Sequence, residues 1–249
     1  MRFIARISRG AVWVIPAMLS ACMILASPVH ADTSATITPQ LVPDRLGAKG
    51  AVTLRVKFAE PSEGVPTALR RMSLRFPAGL VLELPHLRSC SASRLRARGP
   101  TSCPAASALG RGQALVEAHL GSQTMAESIS LWIFLGSLRN LQPTVMIFGR
   151  GYTPFDERVV FSGSLVADRA PYGERLVMSI PPIATLPLEP DASIVTFSLT
   201  VGVAKPSRKH DQNTVLVPSA CPVGGFPVAG ELAYADGSDG SASATIPCP

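Results

Sequence analysis

The sequence predicts an all-β protein: an immunoglobulin-like β-sandwich with a disulfide-stapled loop and little helix. Three observations carry that expectation. Apolar residues recur with a period of two, most clearly in Val52, Leu54, Val56 and Phe58 and again in Val195, Phe197, Leu199 and Val201. Gly and Pro, 20 and 23 in 249 residues, cut the chain into segments too short for long helices. Cys90 and Cys103 enclose a polar stretch rich in turn formers, which reads as a surface excursion stapled at its base.

Residues 1–31 read as a signal peptide. Arg2, Arg6 and Arg9 precede an apolar run at 11–26, and Val29 and Ala31 occupy the −3 and −1 positions of a peptidase site. Its removal leaves 32–249 as one β-sandwich domain; an alternative divides it into two packed halves with a boundary near 121–140. Leu19-Ser20-Ala21-Cys22 is a competing lipobox, which would anchor the protein through a lipidated Cys22. The apolar Met23-Ile24-Leu25-Ala26 behind it favours release, since a lipoprotein ordinarily begins with a polar tether. A retained span is disfavoured because the run is shorter than about 20 residues. The expected location is therefore secreted or cell-surface.

The formal charge is +6, and the leader holds three of the arginines and no acid. The small remaining excess, with no basic run interleaved with aromatics, excludes a nucleic-acid footprint. Beyond the leader the cysteines are Cys90, Cys103, Cys221 and Cys248. In an exported chain they imply two disulfides, with three connectivities open. Proximity favours Cys90–Cys103 and Cys221–Cys248, each worth roughly 3 kcal/mol in the chain-entropy account. A zinc site is disfavoured, because no C-x-x-C pair is present.

In chain order, strands are expected at 52–58, 69–76 and 80–84, with a turn cluster at 61–66. Inside the staple, 91–97 form a helical turn capped by Ser91 or Ser93 and ended by Gly99-Pro100. Strands at 113–120 and 124–135 flank Gly121-Ser122 as a hairpin. The run 129–135 is the most apolar beyond the leader and crosses the centre of a sheet, with Trp132 packed in a core. Strands follow at 144–148, 158–167 and 175–180. Prolines 181, 182, 187 and 190 then make an extended connector. After the strand at 195–201 come a polar loop at 205–213 and a short strand at 214–217. A hairpin at 231–235 and 242–246 turns through Asp236-Gly237-Ser238-Asp239-Gly240.

Signals for chemistry are sparse. His86, His119 and His210 belong to neither H-E-x-x-H nor G-x-S-x-G and read as structural or solvated. The 17 acids are scattered, and no spacing nominates a hydrolytic pair. Asp236 to Gly240 lacks the bidentate glutamate of a calcium loop and reads as a turn. Gly110-x-Gly112 lacks the third glycine and following helix of a phosphate cradle. No catalytic residue, metal or cofactor is expected.

Four stretches carry a resemblance: Arg75-Phe76-Pro77-Ala78-Gly79-Leu80, Cys90-Ser91-Ala92-Ser93-Arg94-Leu95, Gly99-Pro100-Thr101-Ser102-Cys103-Pro104 and Leu109-Gly110-Arg111-Gly112. With Cys221, Tyr234-Ala235-Asp236-Gly237 and Cys248, they make the chain resemble uncharacterised secreted β-rich proteins of actinobacteria with an FPxGL…C-x4-L…GPxxCP…GxG block. Members of that group carry more lysine, and often a tryptophan after the third cysteine where this chain has Phe226. The resemblance implies an exported β-rich domain and supplies no activity.

The functional expectation is an exported non-enzymatic protein, binding or structural, at the cell envelope or outside the cell. Its candidate contact surface is Arg94, Arg96 and Arg98 on the stapled loop, for a cell-wall polymer, an anionic lipid or another envelope protein. The competing reading of these arginines is a solvated loop, since screening over roughly 10 Å leaves an exposed patch little energy. The alternative function is a carbohydrate-active hydrolase with an unrecognised carboxylate pair. A third is an assembly factor using an open sheet edge.

Overall fold

Alternation sets the strands, and the strands close around a core made from every inward position. The computed structural model describes residues 35–58, 65–84, 88–121, 123–152, 157–185, 189–203 and 213–249. The leader with Cys22, together with His86 and His210, lies outside the described residues. The described elements are β1 (Ala35–Val42), β2 (Lys49–Phe58), β3 (Leu69–Pro77), β4 (Val81–Glu83), α1 (Ala92–Arg98), β5 (Ala108–Leu120) and β6 (Gln123–Leu135). They continue with β7 (Thr144–Arg150), β8 (Arg158–Ala167), β9 (Tyr172–Ser179), β10 (Ser193–Gly202), β11 (Thr214–Leu216), β12 (Phe226–Tyr234) and β13 (Asp239–Ile246). Two 3-10 turns, Pro100–Ser102 and Ala105–Ser107, follow the helix. All-β is the class observed, and Asp32–Pro249 fall in one unit.

The order along the sheet is β13-β12-β3-β9-β8-β7-β6-β5-β10-β2-β11-β4, with β1 on β2, and each pairing is antiparallel. An immunoglobulin domain divides its strands between two sheets; here the ladders join all thirteen into one. That sheet curls until β1 packs beside β12 and β13. Ile37 of β1 reaches Gly230 of β12, where an added Cβ would stand 2.9 Å from its Cδ1.

β5 and β10 approach closely. A Cβ on Gly110 would lie 2.0 Å from Thr200 O, and one on Gly112 would lie 2.2 Å from Ser198 O. Only glycine permits that approach, which is the role of the Gly-x-Gly pair in a bending strand. A bulge between Ile194 and Thr196 turns β10 in the same region.

Inward rows build the main core. In β2, Val52, Leu54, Val56 and Phe58 are buried while Arg55 and Lys57 are exposed, as a half-buried strand requires. β6 and β7 differ, because they are covered on both faces. Ile133 and Ile147 point into the main core, while Phe134, Met146 and Phe148 form a second cluster with Cys90 and Leu95. The contiguous apolar run at 131–135 reflects this double burial.

The stapled excursion makes that second cluster possible. Ser91 caps α1 by accepting the Arg94 N–H at 3.3 Å, and Gly99, at φ 72°, ends it with its N–H on Leu95 O. A helix of seven residues could not stand alone in water. The Cys90–Cys103 disulfide and the fully buried Leu95 hold it against β6, β7 and β8. The second disulfide, Cys221–Cys248, ties the approach to β12 to the chain beyond β13. Both pairings are those favoured by proximity. No helix among the described residues is long and apolar enough to cross a membrane.

Candidate ligand cavity

Inward rows of small residues leave part of the curled sheet unfilled. β5 presents Ala114, Val116 and Ala118, and β7 presents Gly149, to a space of about 390 Å3. The other rows are bulkier: Met125, Ile129 and Leu131 from β6, Phe161 from β8, Met178 from β9 and Phe197 from β10. Alanine and glycine among ordinary core residues leave a gap that the bulkier rows do not close. Protein interiors otherwise have few voids larger than a water. A sealed void of this size would cost on the order of 10 kcal/mol at roughly 24 cal/mol per Å3, as much as the whole stability of an ordinary domain.

The proline-rich connector after β9 completes the wall. Ile183, Ala184 and Thr185 line the cavity. The segment is pinned at both ends: the Ile180 N–H donates to Arg70 O at 2.8 Å, and the Arg70 guanidinium pairs with the Asp191 carboxylate. The Ala192 N–H also donates to Ile183 O at 2.8 Å, and the Thr185 hydroxyl to Pro190 O at 2.8 Å.

Polar side chains in the lining are Glu127, Glu157 and Thr185. Glu127 has a partner within the chain. Its carboxylate occupies the place a side chain on Gly151 would take, since a Cβ there would stand 2.1 Å from Oε1. The Gly151 N–H donates to the Glu157 backbone O at 3.0 Å, so the Glu127 carboxylate and the Glu157 backbone both approach Gly151. The remaining wall is aliphatic, methionine and phenylalanine.

The groups with displaced pKa values lie elsewhere. Asp168 is lowered to about 2, chiefly by its bonds from Arg75, Nε to Oδ2 at 2.7 Å and Nη2 to Oδ1 at 3.1 Å. Glu83 is lowered first by Lys49, whose Nζ is 2.7 Å away, and Thr214 also donates to it. Burial raises Glu174, and burial followed by the Asp236 charge pushes Tyr234 up to about 12. None of these lines the cavity. Displaced pKa values cluster at catalytic sites, and here they mark ion pairs and burial.

The residues singled out from sequence are dispersed. Arg94, Arg96 and Arg98 are exposed on α1, over the outer wall of β6–β8 and apart from the cavity lining. The four cysteines are consumed in disulfides. His119 is on β5, its Nδ1 3.4 Å from the Thr124 hydroxyl. Trp132 packs edge-on against Phe148, with centroids 5.7 Å apart, in the outer cluster. Asp236 Oδ1 accepts both the N–H and the hydroxyl of Ser238, at 2.9 and 2.7 Å, as an Asp-initiated turn does. Among the described residues, no group of three His, Cys, Asp or Glu is arranged to hold a metal ion.

The cavity is not legible in the sequence, because an inward apolar row reads alike whether it meets a neighbour or a void. The available signal was size: Ala114 and Ala118 on β5, and Gly149 and Gly151 at the end of β7, flank the bulky row of β6. No protein-family model, curated protein or solved structure matches the chain.

Proposed function

We propose that the chain is an exported, non-enzymatic binding protein of the cell envelope or its surroundings, which holds a hydrocarbon chain in this cavity. One observation carries the reading: about 390 Å3 of space walled by apolar side chains, with polar lining confined to Glu127, Glu157 and Thr185. Ligand sites are concave, mostly apolar and of this size, with few polar groups. At roughly 30 Å3 per methylene-sized group, the space takes a chain on the order of a dozen carbons. Met72, Met125 and Met178 in the lining suit a flexible occupant, since methionine repacks easily. The leader read from the sequence supports export, and two disulfides suit an oxidising compartment.

The hydrolase alternative would use Glu127 and Glu157 as its acids. A glycosidase needs its carboxylates beside groups that hydrogen-bond sugar hydroxyls. Apart from Thr185, the rest of the lining is apolar, which favours binding over hydrolysis.

The test is displacement of a fluorescent fatty-acid analogue, with native mass spectrometry of the purified protein. Saturable binding and a co-purified hydrocarbon are expected. Ala118→Phe, which puts a ring into the space from a half-buried position, raises Kd at least tenfold with little change in thermal midpoint. A protein that binds no amphiphile, or an Ala118→Phe variant that binds as well as the parent, removes the reading.

A further inference from the structure

The wall that lines the cavity has another side, and its residues form a second concavity of about 460 Å3. It lies across β1, β2, β10, β5 and β6, and register aligns its side chains in rows. Thr38 is opposite Arg55, Arg55 opposite Ser198, and Ser198 opposite Gln113. Two residues along, Thr36, Lys57, Thr196 and Leu115 make the next row, with Ser128 opposite Leu115. Neighbouring strands stand about 4.8 Å apart, so each row sets a polar group at regular intervals.

We propose that this outer face binds an acidic polysaccharide. Its lining holds two cations, Arg55 and Lys57, and no carboxylate. Both cations are exposed, and among the described residues no ion pair engages either. Around them stand threonine and serine hydroxyls and the Gln113 amide, each able to donate and accept, as sugar hydroxyls also do. The cations match the acid groups of the polymer, and the rows match its hydroxyls. Below the groove on the same face of β5, Arg111 sits opposite Thr200 and extends the positive track; above it, Glu117 bounds the site.

Other occupants fit less well. A single-stranded nucleic acid needs aromatic platforms for its bases; the one aromatic in the lining, Phe197, belongs to the buried core. A protein partner needs a desolvated apolar centre, and Leu115 is the only large aliphatic side chain on the outward rows. The bulge in β10 between Ile194 and Thr196 adjoins this face.

The experiment is calorimetric titration of the purified full chain with polygalacturonate oligosaccharides, beside neutral dextran, polyphosphate and oligo-dT. Polygalacturonate is expected to bind, and dextran at least tenfold more weakly. Arg55→Gln with Lys57→Gln weakens binding at least tenfold, and Thr38→Val with Ser198→Ala weakens it three- to fivefold. Circular dichroism verifies that each variant is folded, and either double variant alone suffices to test the site. Ala118→Phe leaves polygalacturonate binding unchanged, so this inference and the cavity reading fail separately. The proposal is overturned if polygalacturonate does not bind or if polyphosphate or oligo-dT binds as tightly, which would mean charge alone is recognised. It is equally overturned if a folded double variant binds as the parent does.

Discussion

The two disulfides close loops of similar kind and stand in different relations to the core. Cys90 is fully buried, its N–H donates to Leu135 O at 2.8 Å, and the loop it closes delivers Leu95 into a cluster with Phe134, Met146 and Phe148. Cys248 is exposed and Cys221 half-buried. The strands they join are already paired, Phe226 opposite Ile246, with both side chains in the main core. The first disulfide helps to make a core that would not otherwise exist. The second fastens an edge whose core the strands have made without it.

Loop length alone ranks them the other way. The separations are 13 and 27 residues, so the chain-entropy account gives the second bond an advantage of only about 0.6 kcal/mol. Exposing Leu95 and part of the outer wall outweighs that, since burying one leucine is worth roughly 1.5–3 kcal/mol. Urea unfolding of Cys90→Ala/Cys103→Ala is therefore expected to show a loss of about 5 kcal/mol, against about 3.5 kcal/mol for Cys221→Ala/Cys248→Ala. Equal losses, or a larger one for the second pair, would break the comparison and leave loop entropy as the whole account.

Acid sharpens the comparison, because the most acid-sensitive pair lies outside both loops. Asp168, in the turn between β8 and β9, has its pKa lowered to about 2 by Arg75. A carboxylate with a depressed folded pKa contributes stability that is fully present above its ordinary value near 4 and is lost as pH falls through about 2. Arg75 is partly open to solvent, so the increment is about 1–2 kcal/mol. Asp168→Asn should be less stable than the parent at pH 6 and lose less on going from pH 4 to pH 2. The gap between the two disulfide variants should hold across that window. A gap that closes in acid would tie one loop to this ion pair.

What the sequence disclosed follows the same division between local and distant. Alternation exposed β2 and β10, and the apolar run at 129–135, interrupted only by Ser130, marked a strand crossing the centre of a sheet. Ser91 and Gly99-Pro100 bounded α1 because caps are local chemistry. Strand order was not legible: nothing in the alternation of β3 says that it lies between β12 and β9. The packing of the helix was not legible, because only Leu95 among its longer side chains is apolar, and its partners Phe134, Met146 and Phe148 come from distant strands. Both concavities depend on that strand order, so neither was visible.

The smallest stability effect falls on the residues most conspicuous in the sequence. Arg94, Arg96 and Arg98 are exposed, and Arg96 and Arg98 lie in the last turn of α1, where positive charge is favoured by the helix dipole. Leu95 and the disulfide hold the helix, not the arginines. Reversal of all three to glutamate is therefore expected to lower stability by no more than about 1 kcal/mol, most of it from the dipole. Their candidate role as a contact surface makes a larger claim on binding. Each cation near an anionic surface is worth about 1 kcal/mol, so three give roughly a hundredfold in partition onto anionic vesicles at moderate salt. Co-sedimentation of the parent and the reversed variant measures that factor. If the two partition alike while both remain folded, the arginines only solvate the loop, and the first disulfide serves the outer core and no surface.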